Sequence, residues 1–269
     1  MKILQGKNAI IYGAGGSLGS TIARALADAG ARVFLTGRNV GALQKIADDI
    51  IASGGIAKVD GVDALDEKMI GNHLQKVVDT AGTIDIVYNA IDFKVIQGMP
   101  LVDMAMEDFV RPVNIAMQTH FLTATSAARL MIKQKSGVIL SLTATPGGIG
   151  YPYTAGFAPA CSAIECFAKN LAAEVGPYGV RVVNIRSAGS PDSMEFKEAI
   201  EHDPQAMETV LRQMEEDTML KKLPLMADIA NAAVFLSSDL AGKITGVTID
   251  VTCGTTAGLN YRAPSIPGE

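Results

Sequence analysis

Four glycines lie close together near the N-terminus, in a pattern that suits phosphate binding. Gly13, Gly15, Gly16 and Gly19 follow the apolar segment Asn8–Tyr12 and open a segment with helical periodicity. Glycines in such a turn let the chain reverse tightly and let phosphate oxygens approach the backbone amides at the start of a helix. The spacing therefore predicts a dinucleotide site, although a tight strand-to-helix turn can require glycine for steric reasons alone.

The end of the second apolar segment, residues 32–36, bears on which dinucleotide is bound. An acidic residue there accepts a hydrogen bond from the ribose 2′-hydroxyl of NAD, whereas this chain continues with Gly37 and Arg38. Arg38 is placed to pair with a 2′-phosphate, a charge-assisted contact that contributes about 1.5–3 kcal/mol. The sequence therefore favours NADP(H) over NAD(H), and the alternative role for Arg38 is that of an exposed cation at a helix end.

Short apolar segments alternate with helical segments along the chain, and no proline- or serine-rich linker separates them. This alternation is typical of a parallel sheet built from βαβ units. We expect strands at residues 8–12, 32–36, 57–62, 84–89, 137–142, 180–185 and 246–251, and helices at 17–29, 40–53, 68–81, 103–133, 154–176 and 228–237. The prediction is an α/β fold, a three-layer Rossmann-type doubly wound parallel sheet of about seven strands.

We expect a single domain over residues 1–269, which consists of the predicted sheet with its helices and two additional segments. Residues 188–222 are polar and helical in period, and we expect them to form a helical lid over the sheet edge. Methionines recur in and beside this segment, and their flexible side chains suit a lid closing over a small apolar ligand. Packing between helices explains these methionines equally well. Residues 258–269 form a C-terminal tail.

Composition and charge disfavour several classes of function. The chain has 23 basic and 28 acidic side chains and a net charge of −5, so it has no basic field that would hold nucleic acid. We expect no membrane span, because no run of eighteen or more apolar residues occurs, and no secretory signal, because the N-terminal apolar run lacks a small-residue cleavage site. Three cysteines without a C-x-x-C pair indicate reduced thiols, a cytoplasmic localisation and no metal site.

Several short segments recur at the separations typical of one protein family. They are Tyr88-Asn89-Ala90, Val113-Asn114, Gly179-Val180-Arg181-Val182 and Ile244-Thr245-Gly246, in addition to the glycine turn. With these motifs the chain resembles the short-chain dehydrogenase/reductase family over residues 5–257. The resemblance implies a nicotinamide dinucleotide cofactor and a homodimer or homotetramer.

The same resemblance implies which residues contact the cofactor. They are Gly13, Gly15, Gly16, Ser17, Leu18, Gly19, Arg38, Asp63, Ala64, Asn89 and Ala90. Asp63 and Ala64 stand where the family contacts the adenine, although an acid at a strand end can also be simply solvated. Tyr12, Ser17 and Ile91 depart from the family's pattern.

The family's catalytic positions are occupied by unusual residues. In that family a tyrosine acts as general acid/base, a lysine four residues later lowers its pKa, a serine polarises the carbonyl and an asparagine holds a relay water. Counting back from Gly179 places Phe157, Cys161 and Ala144 at the tyrosine, lysine and serine positions. Of the four groups only the asparagine remains, as Asn114. Because a general acid contributes about 10²–10⁴ in rate, ordinary alcohol or ketone turnover is doubtful.

Nearby side chains offer substitutes for the missing groups. Tyr153 precedes Phe157 in a glycine- and proline-rich loop, and we expect it either to supply the missing hydroxyl or to pack or bind ligand as a loop aromatic. Thr143 can offer a hydroxyl near the site, or it packs as a β-branched strand residue. Cys161 is either a thiol facing the nicotinamide or inert packing, and a neighbouring acid at Glu165 favours the second.

These residues support two functions. The first is an NAD(P)(H)-dependent oxidoreductase of this family, with NADP(H) favoured, that uses non-standard acid/base machinery on an unknown small apolar substrate. The second is a catalytically inactive NADP(H)-binding protein that acts as a sensor or oligomeric partner. Both predict a filled dinucleotide site, and they differ in turnover.

Overall fold

A computed structural model describes residues 2–257, which build one parallel sheet with helices on both faces. The strands are β1 (Asn8–Tyr12), β2 (Arg32–Gly37), β3 (Ile56–Gly61), β4 (Ile86–Asn89), β5 (Gly137–Ala144), β6 (Val180–Ser187) and β7 (Val247–Val251). Their order across the sheet is β3-β2-β1-β4-β5-β6-β7. The predicted α/β doubly wound fold of seven strands is confirmed, and the predicted tail at 258–269 lies outside the described residues.

Helices cover both faces of the sheet. They are α1 (Ser17–Asp28), α2 (Val40–Ala52), α3 (Glu67–Ala81), α4 (Met106–Gln134), α5 (Phe157–Val175), α6 (Met194–His202), α7 (Pro204–Glu216) and α8 (Met226–Ser237). Strands buried on both faces read as continuous apolar runs, and β1 is buried at every position. Its Ile11 packs into the core under α1, α2 and α8, whereas Ile10 packs into the core under α3, α4 and α5. Within residues 2–257, no helix has the length and apolar character needed to cross a membrane.

The strand order reverses direction between β1 and β4. From β1 the chain proceeds outward to β2 and β3, and then it returns to pair β4 with the other side of β1. In open α/β sheets, such a switch point leaves a crevice at the carboxyl ends of the strands, where ligands bind. The glycine turn after β1 and the Asn89-Ala90 segment after β4 therefore meet at this crevice.

The predicted excursion at residues 188–222 contains the two helices α6 and α7. The backbone N–H of Met194, at the start of α6, donates to Ser17 Oγ over 3.0 Å. The backbone N–H of Met226, at the start of α8, donates to Asp192 Oδ1 over 3.0 Å. These bonds connect the beginning of the excursion to α1 and α8, and we call α6 and α7 together the lid.

Two strands extend farther than predicted. β5 and β6 were expected to end at residues 142 and 185, but Thr143 pairs with Arg186 and Ala144 pairs with Ser187. Pairing with a neighbouring strand holds these polar residues in extended conformation, although their side chains give no strand signal by themselves. Thr143 therefore lies inside the sheet and not in the following loop.

Candidate active site

The glycine turn combines close packing with open space. Gly13 has a φ of +77°, and a Cβ at this position would lie 2.4 Å from the carbonyl oxygen of Ala90. A Cβ at Gly19 would lie 2.3 Å from the carbonyl oxygen of Gly13. By contrast, the nearest atoms to a Cβ at Gly15 and Gly16 would be 3.8 and 3.6 Å away. Packing therefore explains two of the glycines, while the other two leave room beside the backbone.

The start of α1 is open to an anion. Its N-cap residue is Gly16, no side chain caps the helix, and its first turn contains no acidic residue. In contrast, Asn39 caps α2 by accepting a hydrogen bond from the N–H of Ala42, and Asp66 caps α3 in the same way. The first backbone N–H groups of a helix need acceptors, and a phosphate supplies them. The open cradle at Gly15 and Gly16 and the uncapped α1 therefore fit a pyrophosphate.

A cleft of about 360 Å³ extends from this turn across the carboxyl ends of β1, β2 and β4, and we call it the dinucleotide cleft. Its lining includes seven of the predicted cofactor residues: Gly13, Gly15, Gly16, Arg38, Asp63, Ala64 and Ala90. Arg38 is exposed, and within residues 2–257 its guanidinium makes no hydrogen bond or ion pair. The cation at the end of β2 is therefore available to an anionic ligand group.

Asn89 supports the cleft from behind and does not line it. The side chain is buried, and its Nδ2 donates to Thr123 Oγ1 over 3.1 Å. Its Oδ1 accepts a hydrogen bond from the backbone N–H of Ile91 over 3.1 Å. Both bonds fix the chain at Ala90, where the backbone passes the glycine turn.

A second cleft of about 350 Å³ lies on the other side of the α1 N-terminus, under the lid, and we call it the lid cleft. Ser17 and Leu18, two further predicted cofactor residues, line this cleft. Since Gly16 lines the first cleft and Ser17 the second, the start of α1 separates them. A ligand lying across this helix end can occupy both.

The positions matched to the family's serine and tyrosine open into the lid cleft. Ala144 and Phe157 both line it, and neither side chain carries a hydroxyl. The ring of Phe157 packs against Phe93, with 6.1 Å between ring centroids. The structure thus places apolar groups at these two positions of the cleft wall.

Cys161 lies one turn farther along α5 and is fully buried. Burial raises the pKa of its thiol to about 12, so the thiol is neutral at physiological pH. A neutral buried thiol is a poor nucleophile. These surroundings fit Cys161 as packing, the second of the two roles expected from the sequence.

Thr143 faces α5 and does not line the lid cleft. Its hydroxyl donates to Glu165 Oε1 over 2.9 Å and accepts a hydrogen bond from Asn184 Nδ2 over 2.7 Å. Arg186 donates through Nε to the same Glu165 oxygen over 3.0 Å. Alternate residues of a strand point to opposite faces, so Thr143 joins this network while Ala144 faces the cleft. The structure therefore does not bring the predicted Thr143 hydroxyl to the site.

Asn114 and Tyr153 also lie outside both clefts. Asn114 is exposed on α4, where Ile115 and Thr119 line the dinucleotide cleft in its place. Tyr153 has a φ of +60°, and the residue is 57% exposed. Tyr153 therefore lies at the surface of the loop and not in the wall of either cleft.

The tyrosine that lines the lid cleft is Tyr151, which the sequence analysis did not select. Burial, with a smaller contribution from Asp217, raises the pKa of this phenol above its ordinary value, so the group keeps its proton. Tyr151 and Tyr153 stand two residues apart in a loop without periodicity. The sequence pattern therefore carried no signal to distinguish them.

Comparison with known proteins identifies the class. A family model described as enoyl-(acyl carrier protein) reductase matches residues 13–256, and the chain belongs to the short-chain dehydrogenase/reductase family of oxidoreductases. The resemblance drawn from the motifs is thereby confirmed at the level of the family. The match includes the glycine turn, both clefts and the lid.

Individual relatives cover nearly the whole chain. The 2,3-dihydro-2,3-dihydroxybenzoate dehydrogenase of Bacillus subtilis is 28% identical over 96% of this chain and 99% of its own. Among solved structures, an NAD⁺-bound xylitol dehydrogenase has a TM-score of 0.86 at 24% identity, covering 93% of this chain and 99% of its own. A gluconate 5-dehydrogenase from Burkholderia cenocepacia, in complex with NADP and tartrate, has a TM-score of 0.84 at 24% identity, covering 95% and 97%. These two structures share the fold of this chain.

Proposed function

We propose that this protein is an NADP(H)-dependent oxidoreductase whose dinucleotide lies across the α1 N-terminus and whose substrate lies in the lid cleft. One observation carries the proposal: the uncapped start of α1, with open space at Gly15 and Gly16, separates two adjoining clefts. The pyrophosphate would accept hydrogen bonds from the first amides of α1. Ser17 and Leu18 then stand at the passage into the lid cleft.

The preference for NADP(H) rests on the end of β2. The solved structures named above contain NAD⁺ in one case and NADP in the other, so they do not decide between the two. Thr36 occupies the end of β2 and donates its hydroxyl inward to the carbonyl of Ile11 over 3.0 Å. No carboxylate of β2 is available for a ribose 2′-hydroxyl, while the Arg38 cation is available for a 2′-phosphate.

When bound, the reduced nicotinamide supplies a hydride. The side chains of this protein position the two reactants and exclude water from between them, and such positioning lowers the barrier by itself. Phe157 and Ala144 offer no proton at the positions where the family has tyrosine and serine. Tyr151 is the phenol of the lid cleft, and its protonated hydroxyl can donate a hydrogen bond.

A second candidate function rests on the same residues. With Ala144, Phe157 and Cys161 at the catalytic positions of the family, the protein can bind NADP(H) without turning over a substrate. It would then act as a sensor of the nucleotide or as an oligomeric partner in a homodimer or homotetramer. Turnover distinguishes this candidate from the first.

The proposal is tested by titrating the purified protein with NADPH and with NADH while following nicotinamide fluorescence. The chain has no tryptophan, which keeps the background low. We expect tighter binding of NADPH, and Arg38→Ala should weaken NADPH binding by about ten- to a hundredfold without a comparable loss for NADH. The matched control is Arg129→Ala, on the exposed surface of α4. If neither nucleotide binds saturably, both candidate functions are rejected.

A further inference from the structure

The lid cleft has negative side chains and no positive ones. Glu195, at the start of α6, and Asp217, just after α7, both line it. Among the lining residues, all of which belong to the described range 2–257, there is no lysine, arginine or histidine. Both residues are exposed, so water weakens their attraction for a cation, but the two charges have the same sign. The cleft therefore favours a cationic ligand over an anionic one.

The lack of a proton donor at two wall positions limits the reaction. Hydride addition to a neutral carbonyl produces an alkoxide, which needs a proton from a nearby acid. Phe157 and Ala144 carry no such acid, and the raised pKa of the Tyr151 phenol makes it a weak proton donor. The carboxylates of Glu195 and Asp217 also oppose a developing negative charge. Hydride addition to a carbon–nitrogen double bond that already bears a positive charge needs no proton donor and develops no negative charge.

We propose, resting on the function proposed above, that the substrate of the lid cleft is a cationic imine, an iminium ion, which is reduced to an amine. In this reaction the hydride of NADPH forms the new bond to the iminium carbon. The π electron pair of the C=N bond moves onto nitrogen, which becomes neutral, and NADPH becomes NADP⁺. No proton is transferred during the step, and the amine takes up a proton from solvent afterwards.

The roles of the residues follow from their placement. Glu195 and Asp217 attract the cation and hold the protonated amine product. Phe157, Phe196 and Met214 supply the apolar wall for the carbon skeleton. The expected substrate class is thus a small, largely apolar iminium, which retains the apolar character predicted from the methionines of the lid.

The experiment begins with NADPH binding by fluorescence, which tests the cofactor site alone. NADPH consumption is then measured with an N-methyl dihydroisoquinolinium ion, which is permanently cationic, and with tetralone, a neutral ketone of similar shape. Each rate is corrected for the reaction without protein. In parallel, calorimetry compares binding of the protonated amine product with binding of a neutral methyltetralin, a measurement that does not depend on turnover.

Variants test the two carboxylates separately. Glu195→Gln and Asp217→Asn should each raise KM for the iminium and Kd for the amine by about two- to fivefold, as expected for partly exposed charges. Binding of methyltetralin should not change. The matched controls are Glu198→Gln, one turn farther along α6, and Glu216→Gln, which precedes Asp217; neither control residue lines the lid cleft. The control variants should retain the wild-type constants.

The outcomes separate the two proposals. Reduction of the iminium, tighter binding of the amine than of methyltetralin, and the two variant effects together support the inference. If NADPH binds but tetralone is the better substrate, or if the amine binds no more tightly than methyltetralin, the inference is rejected while the cofactor proposal stands. If NADPH itself does not bind, the proposed function is rejected and this inference with it.

Discussion

At the scale of single residues, the local surroundings of each hydroxyl and thiol decide its chemistry. Tyr151 and Tyr153 have the same side chain, yet one lines the lid cleft and the other is 57% exposed. Likewise, Thr143 and Ala144 are neighbours in β5 that face opposite sides of the sheet. Side-chain direction, and not residue type, therefore determines which group meets a substrate.

We expect Tyr151→Phe to lower kcat/KM by about two- to tenfold, because the loss of one hydrogen bond costs about 0.5–1.5 kcal/mol. Tyr153→Phe should leave kcat/KM unchanged, and NADPH binding should be the same in both variants. Steady-state kinetics with the iminium probe provide the measurement. A loss of a hundredfold or more in Tyr151→Phe would identify Tyr151 as a general acid and contradict iminium reduction.

At the scale of elements, the lid is connected to the glycine turn by the bond from the Met194 N–H to Ser17 Oγ. The same Ser17 lines the lid cleft at the start of α1. The connection between lid and turn is therefore made at the residue where the two clefts adjoin. Opening of the lid must break this bond or move the start of α1.

Ser17→Ala should loosen α6 without unfolding the sheet. The loss of one hydrogen bond of about 0.5–1.5 kcal/mol predicts that amide exchange over residues 194–202 becomes about two- to tenfold faster. Hydrogen–deuterium exchange with mass spectrometry measures this change. Ser20→Ala is the matched control, because the Ser20 hydroxyl bonds the carbonyl of Ser17 within α1 and does not reach the lid. Equal exchange in all three proteins would show that the bond does not restrain α6.

At the scale of the whole molecule, a buried histidine makes folding depend on pH. His120 lies in α4, is 3% exposed, and bonds the carbonyl of Ala116 through Nδ1 over 2.9 Å. Burial lowers its pKa from 6.5 to about 4, with a smaller opposing effect of that backbone bond. Burial also lowers the pKa of His73, and the negative charge of nearby Asp60 opposes part of this effect by raising that pKa.

Stability should therefore fall as the pH drops from 6.5 towards 4. In this window the unfolded chain binds a proton at His120 that the folded protein does not bind, and the loss is on the order of 3 kcal/mol. His120→Phe removes this contribution, so the free energy of unfolding should depend less steeply on pH in the variant. Denaturant unfolding from pH 8 to pH 4 measures both slopes. Parallel curves for the two proteins would show that His120 is protonated equally in both states.

Much of the fold could be predicted because it depends on local periodicity. The fully buried strand β1, the glycine turn at Gly13 to Gly19 and the alternation of strands with helices are properties of short segments. That the glycine turn and Arg38 line one cleft could be predicted for the same reason, since the turn and the end of β2 come from consecutive elements. The ends of strands were harder to predict from the sequence. Thr143, for example, is held in β5 by pairing with Arg186, which is 43 residues farther along the chain.

The sequence by itself determined the family, the order of the elements, the position of the glycine turn and the absence of a hydroxyl at Ala144 and Phe157. Only the tertiary structure decided that Tyr151 enters the lid cleft and that Glu195 and Asp217 give this cleft its charge. The physical reason is distance along the chain. A motif is read within one turn or strand, whereas the lid cleft is assembled from residues 17–255, which only folding brings together.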